Sequence, residues 1–257
     1  MLTDLLAAMQ SDWEVLALSS AAILLAAVVR GFSGFGFSLL SITAISLILP
    51  VPQIIPSIFL LEIAASINLI PGIWREIHWS SLRWLMLGYV IGLPLGVYAL
   101  INAPAAPAQI ALGIFVIGTA TLMLRGFHLA KTPGRAASTA TGVASGLLNG
   151  AFGIGGPPVI LFYFSTPGAA AIGRASIIFF FLFTDFLGVS YLANQGLVTA
   201  QSVVQFALWT PALLIGVWIG AHGFKRMDQQ VFRRWVLVIL IALAALGIAK
   251  AGYVLSQ

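Results

Sequence analysis

Arg30-Gly31-Phe32-Ser33-Gly34-Phe35-Gly36-Phe37-Ser38 and Asn149-Gly150-Ala151-Phe152-Gly153-Ile154-Gly155-Gly156-Pro157-Pro158 interrupt an otherwise apolar chain at matching places. Sliding the first onto the second by 119 residues pairs Gly31 with Gly150, Gly34 with Gly153 and Gly36 with Gly155. In a bilayer, irregular backbone persists only where other protein or a polar cavity supplies its hydrogen bonds. Matching broken segments in two halves of a chain are the sequence signature of a transporter binding site. The pattern therefore predicts a carrier whose cargo meets the backbone at the breaks.

Composition fixes the medium. Hydrophobic residues make up 60% of the 257 positions and charged ones 7%, with a mean hydropathy of +1.06. Soluble domains carry roughly 25% charged residues, so 12 basic and 7 acidic side chains cannot solvate a domain of this size. The high pI does not point to nucleic acid, because the basic residues stand singly between apolar runs and form no stripe. They suit cytoplasmic loops. With no cysteine, disulfides and thiolate metal sites are excluded. The acidic leader of Asp4, Asp12 and Glu14 has the wrong charge for a secretory signal, so the first apolar run is read as a retained membrane segment.

Six stretches approach the roughly 20 apolar residues that a full span needs: Val51–Ile70, Leu82–Ile101, Pro107–Leu124, Arg174–Ala193, Ala200–Ala221 and Val231–Val254. Four shorter pieces flank the breaks: Val15–Val29, Leu39–Leu49, Ala137–Leu148 and Val159–Phe164. Their lengths suit half-helices of two hairpins or re-entrant segments. The repeat continues beyond the breaks: Ile58–Glu62 aligns with Phe181–Asp185 at an offset of 123, and Gly92–Gly96 with Gly216–Gly220 at 124. The expected fold is an all-α polytopic membrane protein of about 8 to 10 transmembrane or half-spanning helices. It comprises a first repeat over 1–124, a cytoplasmic connecting loop over 125–135 and a second repeat over 136–257.

Loop charge sets the relative orientation of the repeats. Loop 72–83 carries Arg75 and Arg83, while its counterpart at 194–201 is uncharged. Loop 102–107 is uncharged, while 222–234 carries Lys225, Arg226, Arg233 and Arg234. By the positive-inside rule the halves face opposite ways. Placing those residues inside with Arg125, Lys131, Arg135 and Arg174 accounts for ten of the twelve basic residues and leaves both termini outside. The expectation is an inverted repeat whose glycine breaks converge near the bilayer centre.

The two glycine motifs, the second entering a new apolar helix as Gly153-Ile154-Gly155-Gly156-Pro157-Pro158, resemble the sulfite exporter TauE/SafE family of bacterial membrane transporters. The resemblance covers nearly the whole chain, including its length, its two halves and its basic central loop. It implies a multi-pass protein of the cytoplasmic (inner) membrane that exports sulfite or a small organosulfonate.

The chemistry of the breaks agrees with an anionic cargo. Ser38 and Pro157 stand where a helix restarts, and proline fits the first turn because its missing N–H would be unpaired there. Restarting helices point free N–H groups and the positive end of their dipole at the break, an arrangement that binds oxyanions. Glycine lets backbone approach a ligand closely. The candidate substrate-binding residues are Arg30, Gly31, Ser33, Gly34, Gly36, Ser38, Asn149, Gly150, Gly153, Gly155, Gly156 and Pro157. The alternative is that the glycines only let helices pack closely, as small-xxx-small patterns do; Gly34 to Ser38 and Gly146 to Gly150 fit it. Arg30 is either a buried cation beside the anion or a side chain that snorkels to the surface.

Glu62 and Asp185 are the two acids inside long apolar runs, and the repeat pairs them. They are proton-coupling candidates, since an ionisable group at such depth marks function. The competing role is a neutral or Arg-paired acid that holds helices together. Trp74, Trp79 and Trp84 read as an interfacial belt, and His78, His128 and His222 fall at or near loops. No metal site and no cofactor are expected. The expected partners are a small anion and the lipid bilayer, with no nucleic acid; oligomeric state is not legible.

Two other functions fit parts of the chain. One is an uptake carrier or channel for another small anion. The other is an intramembrane serine protease, because Gly31-Phe32-Ser33-Gly34 resembles a rhomboid nucleophile motif and His222 would be its base. The second break duplicates the glycines without a comparable serine, which a protease does not need, and the reading is therefore not an enzyme.

Overall fold

A computed structural model describes residues 13–45, 48–49, 51–102, 114, 117–118, 120–121, 124–125, 133–152, 155–166, 170–194 and 196–255. The expected span Pro107–Leu124 is therefore described only in part, and Lys131, His128 and Gly153 lie outside the described residues. Helices account for nearly all of the described chain, with no strand among the described residues. They are α1 (Trp13–Ser33), α2 (Phe37–Ile45), α3 (Val51–Ile73), α4 (Trp79–Asn102), α5 (Arg135–Phe152), α6 (Gly156–Ser165), α7 (Ala170–Asn194), α8 (Ala200–Arg226) and α9 (Gln229–Leu255). Four segments, Trp13–Ser33, Gln53–Glu76, Ala170–Asn194 and Ala200–Arg226, are long and apolar enough to cross a membrane. Their exposed side chains are those lipid would cover: Leu25 on α1 and Trp218 on α8 are 68% and 62% exposed. The protein is an all-α polytopic membrane protein.

The helix breaks fall at both glycine motifs, but later than the sequence suggests. The first arms are longer than expected: α1 has 21 residues where 15 were expected, and α5 has 18 where 12 were expected. At 1.5 Å per residue α1 runs roughly 31 Å, long enough to cross the bilayer. The reason is local. Gly31 and Gly150 stay in helical conformation, and in the first motif only Gly34 and Gly36, at φ 85° and 89°, leave it. A left-handed φ at both is open to glycine at little steric cost. The second arms are short, with 9 and 10 residues in α2 and α6.

The helices form two compact units, one of Met1–Trp74 with Ile178–Met227 and one of Arg75–Ile177 with Asp228–Gln257. In the first, α1 packs on α8 with glycines where the two backbones come close. A Cβ on Gly31 would fall 2.3 Å from Val217 O, one on Gly216 2.5 Å from Leu24 O, and one on Gly220 2.1 Å from Val28 O. Trp209 Nε1 donates to Ser19 Oγ across this seam, and Ser57 Oγ donates to Gln205 Oε1 between α3 and α8. In the second unit α4 packs on α5 in the same manner, with Gly92 against Val143 O and Gly96 against Leu147 O, each 2.2 Å from the missing Cβ. The two seams correspond residue by residue. Gly92 and Gly96 shift by 124 onto Gly216 and Gly220, and Val143 and Leu147 shift back by 119 onto Leu24 and Val28. Each broken hairpin thus packs on a helix contributed by the opposite half of the sequence.

Candidate functional site

The first break is a buried polar cluster built from four helices of the first unit. Arg30, in the last turn of α1, is completely buried and does not snorkel. Its Nη1 donates to Gly34 O, a carbonyl that the break removes from the helical ladder. Its Nη2 donates to Ser66 Oγ on α3 at 2.7 Å and lies 3.1 Å from Glu62 Oε2. The guanidinium carbon sits 5.1 Å from the centroid of the Phe181 ring on α7, within cation–π range. These contacts compensate a cation whose desolvation alone would cost several kcal/mol.

Glu62 links that arginine to the restarted helix. Ser38, in the first turn of α2, donates its backbone N–H to Glu62 Oε1 at 3.1 Å and its hydroxyl to the same oxygen at 2.6 Å. The carboxylate therefore occupies the positive end of the α2 dipole, where N–H groups lack helical acceptors. Asp185, on α7, interacts electrostatically with both Glu62 and Arg30. Its Oδ2 is buried without a hydrogen-bond partner, as is Arg30 Nε. Phe35 and Phe37 are buried beside these groups and exclude water from the break.

Among the described residues, the second break, in the other unit, is held by no charged side chain. Gly155 caps α6, Pro157 and Pro158 fill its first positions, and Gly156 and Pro157 are buried. Ser145 Oγ donates to Gly155 O, and Asn149 Nδ2 donates to Tyr89 OH at 2.5 Å. Asn149 thus stands in the repeat position of Arg30 and bonds a phenol in place of a carboxylate. Farther along, Tyr163 OH lies 3.1 Å from Ser81 Oγ, which is 2.7 Å from His78 Nδ1. His78, to which the sequence assigns no chemistry, belongs to that network.

Several expected site residues are engaged elsewhere. Gly31 serves the α1–α8 seam, and Gly150 lies within α5. Ser33 Oγ lies 2.7 Å from Val29 O and 2.9 Å from Phe35 O, closing its own turn. His222 is exposed, with Nδ1 at 2.8 Å from Trp218 O. The two residues of the protease reading thus bond to backbone and not to each other. Among the described residues no group of three or more His, Cys, Asp and Glu side chains could hold a metal ion. Ser66, Ser145 and Tyr89 are not singled out by sequence, and Phe181, which sequence assigns to lipid or packing, faces Arg30. Ser66 alone carried a signal, standing one helical turn after Glu62.

Trp84, one of the three tryptophans of the expected interfacial belt, stands between two arginines. It lines a cavity of about 500 Å3 in the second unit together with Arg83, Leu87 and Arg135. The guanidinium carbons of Arg83 and Arg135 lie 5.8 and 5.5 Å from the Trp84 ring. Both arginines are exposed, while Trp84 Nε1 is buried without a hydrogen-bond partner.

Helices that stop and restart around buried polar groups, in a chain of membrane-spanning length and hydropathy, define a membrane transporter with discontinuous helices. The particular family follows from comparison: the sulfite exporter TauE/SafE model matches residues 19–246, and the chain belongs to that family. The probable sulfite/organosulfonate exporter TauE of Cupriavidus necator is 27% identical over 221 residues, covering 84% of this chain and 86% of that protein. No solved structure matches. The chain is accordingly a polytopic membrane transporter of a sulfite-exporter family.

Proposed function

We propose that the protein exports a small sulfur-containing oxyanion, sulfite or a small organosulfonate, across the inner membrane, and that the first break binds it. The observation that carries this reading is the convergence of a buried guanidinium, Arg30, and the N-terminal turn of α2, at Ser38, on one carboxylate oxygen pair. Two kinds of anion donor meet there away from water, which is where such donors bind most strongly. The relative from Cupriavidus necator bears the name of a sulfite/organosulfonate exporter, and the residues here suit that cargo. An inside-negative potential favours outward movement of an anion by about 2.3 kcal/mol per charge per 100 mV, so export is the favourable direction for this cargo.

The two repeats are read as inverted, 1–124 against 136–257, with loop 125–135 cytoplasmic. The corresponding glycine seams support the repeat, and the opposite loop charges support its inversion. Arg83 and Arg135 then face the cytoplasm and attract anions toward the protein.

Proteoliposomes loaded with sulfite or methanesulfonate test the reading. An outward gradient of the anion should drive release above that of protein-free vesicles. Ser38→Ala, which removes one donor to the anion, should slow release by about tenfold or more, since a hydrogen bond to a charged group contributes about 1.5–3 kcal/mol. Transport of organic cations without anion flux would overturn the assignment.

A further inference from the structure

Glu62 already holds the position that the reading above gives to the cargo. Its Oε1 accepts the N–H and hydroxyl of Ser38, and its Oε2 faces Arg30 Nη2. A sulfonate or sulfite offers the same pattern, negative oxygens accepting N–H and O–H donors, so carboxylate and cargo compete for one set of donors. The cluster also contains what is needed to remove the competitor. Protonated Glu62 loses its charge attraction to Arg30, and Asp185, on the helix across from it, is a second buried carboxyl with a free oxygen.

We propose that Glu62 is a tethered occupant of the anion site, and that the transported anion enters only as Glu62 takes up a proton. The inference rests on the reading that the first break binds the cargo. The exchange balances: one anion arrives, one proton forms one O–H bond at Glu62, and the net charge of the cluster is unchanged. If Glu62 left the donors while still ionised, two negative charges would share one arginine in a medium of low dielectric. Asp185 is placed to relay the proton and is reprotonated in turn from bulk solvent.

The polar and charged groups of this cluster come from four helices. Arg30 on α1 and Ser38 on α2 contact Glu62, Asp185 on α7 acts on it electrostatically, and Ser66 on its own helix α3 binds the same arginine. The buried residues of α8 are Ser202, Val204, Gln205, Trp209, Leu213, Gly216, Val217 and Gly220, none of them charged. Sequence alone does not reveal this competition, because Ser38 and Glu62 are 24 residues apart.

Methanesulfonate is the appropriate probe, since it stays singly charged across the neutral range and does not itself release protons, as bisulfite does. Its binding to purified full-length protein is followed by calorimetry in buffers of different ionisation enthalpy, which counts protons taken up per anion. The wild type should take up close to one proton, and its affinity should weaken about tenfold per pH unit where Glu62 is ionised. Glu62→Gln should bind at least as tightly as the wild type at acid pH, with no proton uptake and a flat pH profile. Binding by the wild type without proton uptake overturns the proposal, whether or not the variant folds. So does a folded Glu62→Gln protein that still takes up a proton or binds less tightly. A wild type that neither binds nor transports any sulfonate or sulfite fails at the earlier step, the proposed function itself.

Discussion

Arg30 Nη2 and Glu62 Oε2 lie 3.1 Å apart with side chains 0% and 6% exposed, an ion pair enclosed between the broken hairpin and α3. Removing one member of a buried pair normally strands a charge at a cost of about 3–5 kcal/mol. Here Asp185 is a second buried carboxyl within electrostatic reach of the same arginine and can serve as its counter-ion. Glu62→Gln or Asp185→Asn alone should therefore destabilise the protein by less than the combination. The double variant should lose about 3–5 kcal/mol, more than the two single losses added together. Melting of the purified proteins in one detergent measures this coupling. Strict additivity would mean that Asp185 does not compensate for Glu62.

The breaks, the two acids and the membrane class were legible in the sequence because each rests on a local contrast: glycine among apolar residues, or one carboxyl in a greasy run. The break boundaries were not, because glycine has two uses that sequence does not separate. Gly34 and Gly36 leave the helix, whereas Gly31, three residues earlier, stays in it to admit Val217. What decides is a helix more than 180 residues away. Arg30 was ambiguous for a related reason. Its compensation comes from Glu62, Ser66 and Phe181, whose proximity is tertiary. The buried ion pair joins Arg30 to Glu62, the Arg-paired alternative that sequence offered for that acid.

The glycine seams should be intolerant at contact points and tolerant nearby. Gly220→Ala places a methyl 2.1 Å from Val28 O, against backbone that cannot rotate away, and Gly92→Ala meets Val143 O at 2.2 Å. Each should destabilise by about 1–3 kcal/mol or more as the helices are forced apart. Gly72→Ala has nothing within 4 Å and should be neutral or stabilising by up to about 1 kcal/mol, the helix-propensity gain. Thermal unfolding of the three variants checks the order. Equal effects would mean that the seams do not limit helix approach.

Absence of native cysteine makes the inverted arrangement directly testable. Glu76 and Leu197 occupy loops that correspond in the two repeats, and both are exposed. In the inverted reading Glu76→Cys is labelled by an impermeant maleimide only from the cytoplasmic side, and Leu197→Cys only from outside. Labelling of both from one side would make the repeats parallel.

Arg83 and Arg135 offer the last test, through salt. Their guanidinium groups flank Trp84 at an exposed cavity, with no carboxylate within ion-pair distance of either among the described residues. Charges at such a mouth act on arriving anions through solvent, so their influence is a matter of encounter rate and not of tight binding. The Debye length shrinks from about 30 Å at 0.01 M salt to about 3 Å at 1 M. Arg83→Gln/Arg135→Gln should accordingly lower the initial rate of sulfite release several-fold at low salt and by little at high salt, with the saturated rate preserved. Stopped-flow flux from oriented proteoliposomes at a series of ionic strengths reads this out. A deficit that persists unchanged at 1 M salt would mean that the two arginines hold the cargo or the fold directly and do not act by attraction at a distance.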